Sequence, residues 1–314
     1  MTGFIIRRLL QAIVVTLGVV TIAFGLLHAL PGSLARSIIG PRASPQAIAL
    51  FNRQNGLDQP LWYQYWLYVD KLAHLNLGYS FVRNQSVNSL LAAELPRDLV
   101  LGGVSLVLSL LIAVPIAIGQ AIRRNGLLDY AGTGTSFLLY SMPPYAVALI
   151  LIQFLAIDLH AFPAQAPQQA SALGMLAHPA GLVLPVASLT LVTFAIFTRY
   201  ARSSAIDTLA QDFMRTARAK GLPERLVISR HLLRNSMLTV ITLVGLSIPG
   251  IITGTVVIES VFNFPGAGLQ YLTSSQDNDY PVMLAITVIV GVLTVLGNLL
   301  ADVSYALLDP RIRY

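Results

Sequence analysis

Six stretches of this chain run for about twenty residues or more as nearly unbroken apolar sequence, and charged residues are pushed to their edges. They are bounded by Arg8 and Arg36, Asp98 and Arg123, Asp129 and Asp158, His178 and Arg199, Arg234 and Glu259, and Asp279 and Asp302. A helix needs about 20 apolar residues to cross the hydrocarbon of a bilayer, so the pattern predicts six transmembrane helices. Pro115 and the Pro143-Pro144 pair fall inside these windows. Membrane bundles tolerate such residues, so they are read as kinks rather than breaks. The first window starts like a signal peptide after Arg7 and Arg8, and Ser33-Leu34-Ala35 resembles a cleavage site. Its length and the spans that follow it favour an uncleaved first helix.

Two polar regions interrupt the windows. Residues 31–97 are too polar to span, yet Leu61-Trp62-Tyr63-Gln64-Tyr65-Trp66-Leu67-Tyr68 is densely aromatic. This predicts an interfacial helix lying at the headgroups, with contact to a substrate-delivery partner as the sharper alternative. Residues 199–235 form the second region. There Ser204 and Asp207 have the spacing of a capping box, which predicts a helix start. Leu209, Ala210, Phe213, Met214 and Ala217 then share one face. Gly221 is suited to a left-handed terminator, and Pro223 with Glu224 to the start of a second helix.

Basic residues orient the chain. With the N-terminus in the cytoplasm, fourteen of the twenty Lys and Arg lie inside, and the other six all fall in residues 31–97. Both termini are then cytoplasmic. Composition agrees with a membrane protein: 55% hydrophobic, 11% charged, mean hydropathy +0.70. The net charge of +6 sits beside apolar runs rather than on a water-facing stripe, which argues against nucleic acid. The absence of cysteine removes thiolate metal sites and cysteine nucleophiles.

Candidate chemistry is sparse. No phosphate-binding Gly-x-x-x-x-Gly-Lys-Ser/Thr loop occurs, and Lys71 and Lys220 are the only lysines, so the chain is not its own ATPase. His28, His160 and His178 lie near external boundaries without metal-ligand spacing and read as satisfied surface residues. Glu259 and Asp302 end apolar windows; helix-end solvation or an inter-subunit pair competes with a gating or pathway role. Pro143 and Pro144 either line the pathway or shape a helix pair. No catalytic or metal site is expected. The 199–235 loop itself admits two readings: a basic connector at an anionic leaflet, or a docking element inserted into a partner's groove.

The loop's residues carry a resemblance. Gln211-Asp212-Phe213-Met214-Arg215-Thr216-Ala217-Arg218-Ala219-Lys220-Gly221-Leu222, followed by Arg230-His231-Leu232-Leu233-Arg234-Asn235, resembles the coupling loop of ABC importer permeases in the dipeptide/oligopeptide (peptide/nickel) branch. Leu77-Gly78-Tyr79-Ser80-Phe81, Glu259-Ser260-Val261-Phe262 with Pro265-Gly266, Asp279-Tyr280-Pro281 and the terminal Asp309-Pro310-Arg311 agree with it in order along nearly the whole chain. Arg215-Thr216-Ala217 and Leu233-Arg234 stand where the wider importer pattern has Glu-Ala-Ala and Leu-Pro, departures that the peptide branch shares.

The resemblance implies an all-α integral membrane fold: six transmembrane helices, a large external insert after helix 1, and a coupling-helix loop between helices 4 and 5. Residues 1–30 would be the N-terminal transmembrane helix, 31–97 the external insert, and 98–314 a five-helix permease core like that of type I importers. It further implies an inner-membrane protein that translocates short peptides or peptide-like solutes. The expected partners are a second, homologous permease, two ATP-binding cassette subunits or one fused ATPase chain, and an external solute-binding protein. ATP and magnesium would be bound by those ATPases and not by this chain. Asp212, Arg215, Thr216, Ala217, Arg218, Lys220, Gly221 and Leu222 are the expected coupling residues. A self-contained secondary transporter is the main rival, although the deep window interiors lack the charges that ion coupling would use. An intramembrane hydrolase would need a histidine deep in a window, and none is there.

Overall fold

The computed structural model describes residues 2–29, 34–40, 42–168, 171–248, 250–253 and 256–308. Helix α1 (Thr2–His28) is followed by α2 (Leu34–Ile39), α3 (Pro45–Asn55), α4 (Leu61–Ala73) and a short antiparallel hairpin, β1 (Tyr79–Ser80) with β2 (Gln85–Ser86). Then come α5 (Val87–Ile122), α6 (Leu127–Ser141), α7 (Pro144–Leu151) continued by a π-helical segment (Ile152–Asp158), α8 (Ala172–Leu176) and α9 (Ala180–Leu209). The second polar region holds α10 (Asp212–Ala219) and α11 (Glu224–Leu226), and a π-helical turn (Val227–Leu232) joins α11 to α12 (Leu233–Ser247). Short helices α13 (Gly250–Thr253), α14 (Val256–Phe262) and α15 (Ala267–Gln276) precede α16 (Tyr280–Leu308).

Among the described residues, four helices are long and apolar enough to cross a membrane: α1 over Ile6–Leu26, α5, α9, and α16 over Tyr280–Ala301. The pair formed by α6 and the Pro144–Asp158 segment would make a fifth, but it is bent by 106°. Here the expected kink is a break. A residue before proline is pushed out of the helical region, and in tandem the effect repeats: Met142 (ψ 134°) and Pro143 (ψ 142°) are both extended, and Pro144 opens α7 at its first position. By contrast, Pro96, Pro115 and Pro185 sit inside continuous helices. The window after Arg234 is divided among α12, α13 and α14, and α12 alone, with 15 residues, covers only about 22 Å.

Two helices overrun their windows. Helix α5 has 36 residues, about 54 Å, against a hydrocarbon thickness of about 30 Å. Its first three turns therefore carry Glu94, Arg97 and Asp98 beyond the apolar stretch, across the expected boundary at residue 98. Helix α9 likewise continues past Arg199 and Arg202 to Leu209, so the helix start expected at Ser204 does not exist. The Ser204 hydroxyl is spent on the neighbouring helix, donating to the Ser236 carbonyl at 3.1 Å, and caps nothing. The real break is at Gln211, which is extended (ψ 147°).

Helices α5 and α9 form the central seam. Small residues let the two backbones approach, and hydroxyls stitch them: Ser105 Oγ donates to the Val186 carbonyl at 3.3 Å and Ser109 Oγ to that of Thr190 at 3.0 Å. Phe194 and Phe197 pack there against Ala113 and Ala117. In the segment between α1 and α5, α4 turns part of its aromatic face to α1, where the Tyr65 hydroxyl meets Thr21 Oγ1 at 2.9 Å and Gln64 meets His28 Nε2 at 2.9 Å. Trp62 and Trp66 stay exposed on its other side.

Candidate functional site

The polar region after α9 is a built element. Helix α10 starts from Gln211 and buries two side chains, Met214 and Ala217, one turn apart. They pack on Ile118 and Ala121 at the end of α5, Ala205 on α9, and Val227 and Leu232 in the following turn, with Leu209 and Leu222 at the margin. One short helix thus touches three elements at once. Its other face is open: the side chains of Asp212 and Arg215 are 97% and 77% exposed. Thr216 and Lys220 are exposed as well.

The turn after α10 closes as the sequence predicts. Gly221 has φ +75°, its N–H donates to the Arg218 carbonyl at 3.0 Å, and the Leu222 N–H reaches the Ala217 carbonyl at 3.4 Å. These are the two bonds of a Schellman motif, which uses a left-handed residue to satisfy the last carbonyls of a helix. Across the turn, the Arg218 guanidinium grips Glu224 in bidentate fashion, Nη2 to Oε1 at 2.8 Å and Nε to Oε2 at 3.2 Å. Those hydrogen bonds hold the Glu224 carboxyl below the usual carboxylate range and raise Arg218 in turn. Pro223 and Glu224 then begin α11, so helix, tight turn and second helix are all present.

A second ion pair anchors the frame above the loop. Asp129, in the first turn of α6 and buried, accepts from Arg202 of α9 at 2.6 Å (Nε to Oδ1) and 2.9 Å (Nη2 to Oδ2), and from the Asn125 N–H at 3.0 Å. The sequence reading missed it. The available signal was weak: opposite charges at the edges of two windows, 73 residues apart.

The remaining candidates are scattered. Pro143 and Pro144 form the sharp bend described above and are exposed. Asp302 lies on α16 with its side chain outside the described residues. Glu259 is on α14 and fully buried rather than solvated. Its Oε2 accepts the Leu269 N–H at 2.7 Å, while Asp98 Oδ2 accepts the Ala267 N–H at 3.0 Å. Carboxylates from α5 and α14 therefore cap the N-terminus of α15, where orphan N–H groups and the helix dipole favour negative charge. A Cβ on Gly268 would lie 2.8 Å from Glu259 Oε1, so the approach depends on glycine. Around them, Gln270 bridges Glu94 Oε1 (3.1 Å) and Arg83 Nε (2.6 Å), and Arg97 Nη1 donates to the Pro265 carbonyl at 2.9 Å. Asp98 and Glu94 entered the sequence reading only as a window boundary and as insert polarity.

Nothing in either arrangement is a paired nucleophile and base. The loop is instead a two-helix element packed on three others, with an exposed charged face. The chain belongs to the family of binding-protein-dependent transport system inner membrane components, which matches residues 112–314, with the family's N-terminal module matching residues 1–102. It is a multi-pass inner-membrane permease subunit of an ABC importer, a transport component and not an enzyme. The self-contained secondary transporter is thereby set aside. In this family ATP is bound by separate ATPase subunits, and binding proteins are the other partners. Among relatives, the chain is 39% identical to the oligopeptide transport system permease protein AppB of Bacillus subtilis and 38% identical to the oligopeptide permease protein OppB of Haemophilus influenzae. It is 35% identical to the glutathione transport system permease protein GsiC of Salmonella typhimurium. Each match covers 100% of both chains.

Proposed function

We propose that this permease translocates short peptides or peptide-like solutes, and that residues 199–235 are where the ATPase subunits dock. The observation that carries the docking reading is α10 itself: Met214 and Ala217 fix it to α5, α9 and the turn before α12, while Asp212, Arg215, Thr216 and Lys220 face outward. A rigid element in a partner's groove transmits displacement, whereas a loose basic connector would absorb it. Arg218, Gly221 and Leu222 act within the element, as its brace, its turn and its margin. The oligopeptide and glutathione relatives support the solute class.

The remaining architecture follows from the same reading. Six spans result if α12 to α14 form one broken crossing, and the fourteen basic residues then place both termini in the cytoplasm. Residues 1–30, 31–97 and 98–314 act as leading span, external insert and permease core, with the first turns of α5 projecting into the insert. A second permease, two ATPases or one fused ATPase chain, and an external binding protein complete the transporter. Glu259, with Asp98, holds α15 in place and makes that helix a candidate gate element. Pro143 and Pro144 put the α6–α7 bend beside the pathway, and Asp302 remains a pathway candidate.

Because the chain has no cysteine, a single introduced one is unique within it. A cysteine-directed photo-cross-linker placed in turn at Asp212, Arg215 and Lys220 of the assembled transporter is expected to capture an ATPase subunit. At buried Ala217 it is expected to capture none. Failure at all three exposed positions would sink the docking reading.

A further inference from the structure

Two cavities meet beneath α4 at the outer ends of α1 and α16. The first, about 420 Å³, lies between those two spanning helices and is walled by residues such as Val20, Val288 and Val292. The second, about 220 Å³, continues it under the insert, and Leu72 and Leu77 belong to both walls. Joined across the shared Leu72 and Leu77 side chains, they would make an apolar passage from the bilayer side of the α1–α16 pair to the underside of α4.

The polar groups on the second wall are almost all committed. His28 bonds the Phe24 carbonyl (3.0 Å) and Gln64 (2.9 Å), and Gln64 donates to the Leu57 and Gln59 carbonyls. Asn55 donates to the Phe51 carbonyl, and Asn76 accepts the Gly78 N–H. Lys71 and Tyr68 line the same wall, and among the described residues neither the ammonium nor the phenol hydroxyl has a protein partner. Lys71 is half-buried, and the adjacent Asp70 faces elsewhere, 66% exposed and paired with His74 at 3.5 Å. Burial pushes the Tyr68 phenol up to about 12, so it stays a neutral donor at physiological pH. A half-buried ammonium and a spare hydroxyl at the end of an apolar passage call for an anionic, acceptor-rich head on an apolar tail.

We propose that this passage is a binding site for one anionic phospholipid, its acyl chain between α1 and α16 and its phosphate against Lys71 and Tyr68. A peptide is the poorer occupant, because its amides would lie mostly unsatisfied in the lower cavity, whose described lining is apolar apart from Thr16. Among the described residues, Lys71 is the only lysine or arginine on either wall, which favours a net anionic head over a zwitterionic one. Exposed Trp62 and Trp66 on α4 are the kind of residue that settles at headgroup level, and they set Lys71 at the same depth.

The test is native mass spectrometry of the transporter, purified in mild detergent with its accompanying subunits from membranes containing phosphatidylglycerol and phosphatidylethanolamine. Parent and variants are compared, because other subunits also carry lipid. The parent is expected to retain one more phosphatidylglycerol than Val292→Trp, which fills the lower cavity. Lys71→Gln is expected to lower that retention about fivefold, with assembly checked by gel filtration. Equal retention of phosphatidylethanolamine, unchanged retention in Lys71→Gln, or displacement of the lipid by a short peptide would each overturn the proposal. The readout does not involve transport, so its failure is separable from any failure of the docking reading.

Discussion

Replacing Gly221 with valine is expected to cut solute uptake at least about tenfold while leaving the protein in the membrane and the ATPases able to hydrolyse ATP. The residue holds φ +75°, a conformation that costs an L-residue about 1–2 kcal/mol and a β-branched one more. Space is not the obstacle, since an added Cβ would meet nothing within 4 Å. The strain must be relieved by opening the turn, which breaks both Schellman bonds and pulls Arg218 away from Glu224. Helix α10 then loses its fixed angle to the elements beneath it, and motion delivered there is dissipated. Gly221→Asn provides the control, because asparagine tolerates the left-handed region and should retain most uptake. Uptake and ATP hydrolysis measured together in proteoliposomes decide the matter: Gly221→Val with unimpaired uptake would mean that the turn carries no coupling.

The second large effect is expected at Asp129. Removing its carboxylate strands Arg202, whose side chain is only 27% exposed, and leaves the Asn125 N–H without its acceptor. Breaking a buried pair from one side costs about 3–5 kcal/mol; the partial exposure of Arg202 places Asp129→Ala nearer 2–3 kcal/mol. The double variant Asp129→Leu with Arg202→Met should cost less than Asp129→Ala alone, since it leaves no lone charge behind. Denaturant unfolding in detergent measures both. A loss below about 0.5 kcal/mol for Asp129→Ala would show that the pair is a solvated surface contact.

What the sequence disclosed depended on how local the cause was. Gly221 was legible because a left-handed helix terminator is a property of one residue and its two neighbours. The apolar windows gave the location of α1, α5, α9 and α16, since hydrocarbon thickness acts on each helix separately. Ser204 misled for the opposite reason. Its capping signal is local, but α9 is held helical through Leu209 by packing against α5 and α12, and the hydroxyl finds its partner on Ser236. Pro143-Pro144 was seen and underrated: one proline kinks a helix, but two in tandem force consecutive residues into extended backbone. The burial of Glu259 depends on Asp98 arriving from α5 and on Gly266 and Gly268, where a Cβ would collide with its carboxylate, contacts that no window can contain. Asp129 and Arg202 pair over 73 residues of sequence, beyond any pattern read along the chain.

The continuity of α9 has a consequence for where the molecule can yield. From Ala180 to Leu209 it is a single rod about 45 Å long, and the first joint below it is the extended residue Gln211. A tilt of about 5° imposed at its Leu209 end displaces the Ala180 end by about 4 Å, roughly the spacing between packed atoms. Helix α9, weakened at Pro185 near its Ala180 end, would act as a stiff lever over the stretch between that residue and Gln211. A glycine pair introduced at Thr193 and Phe194, midway along it, would place a second hinge in the shaft and shorten its throw without touching the loop.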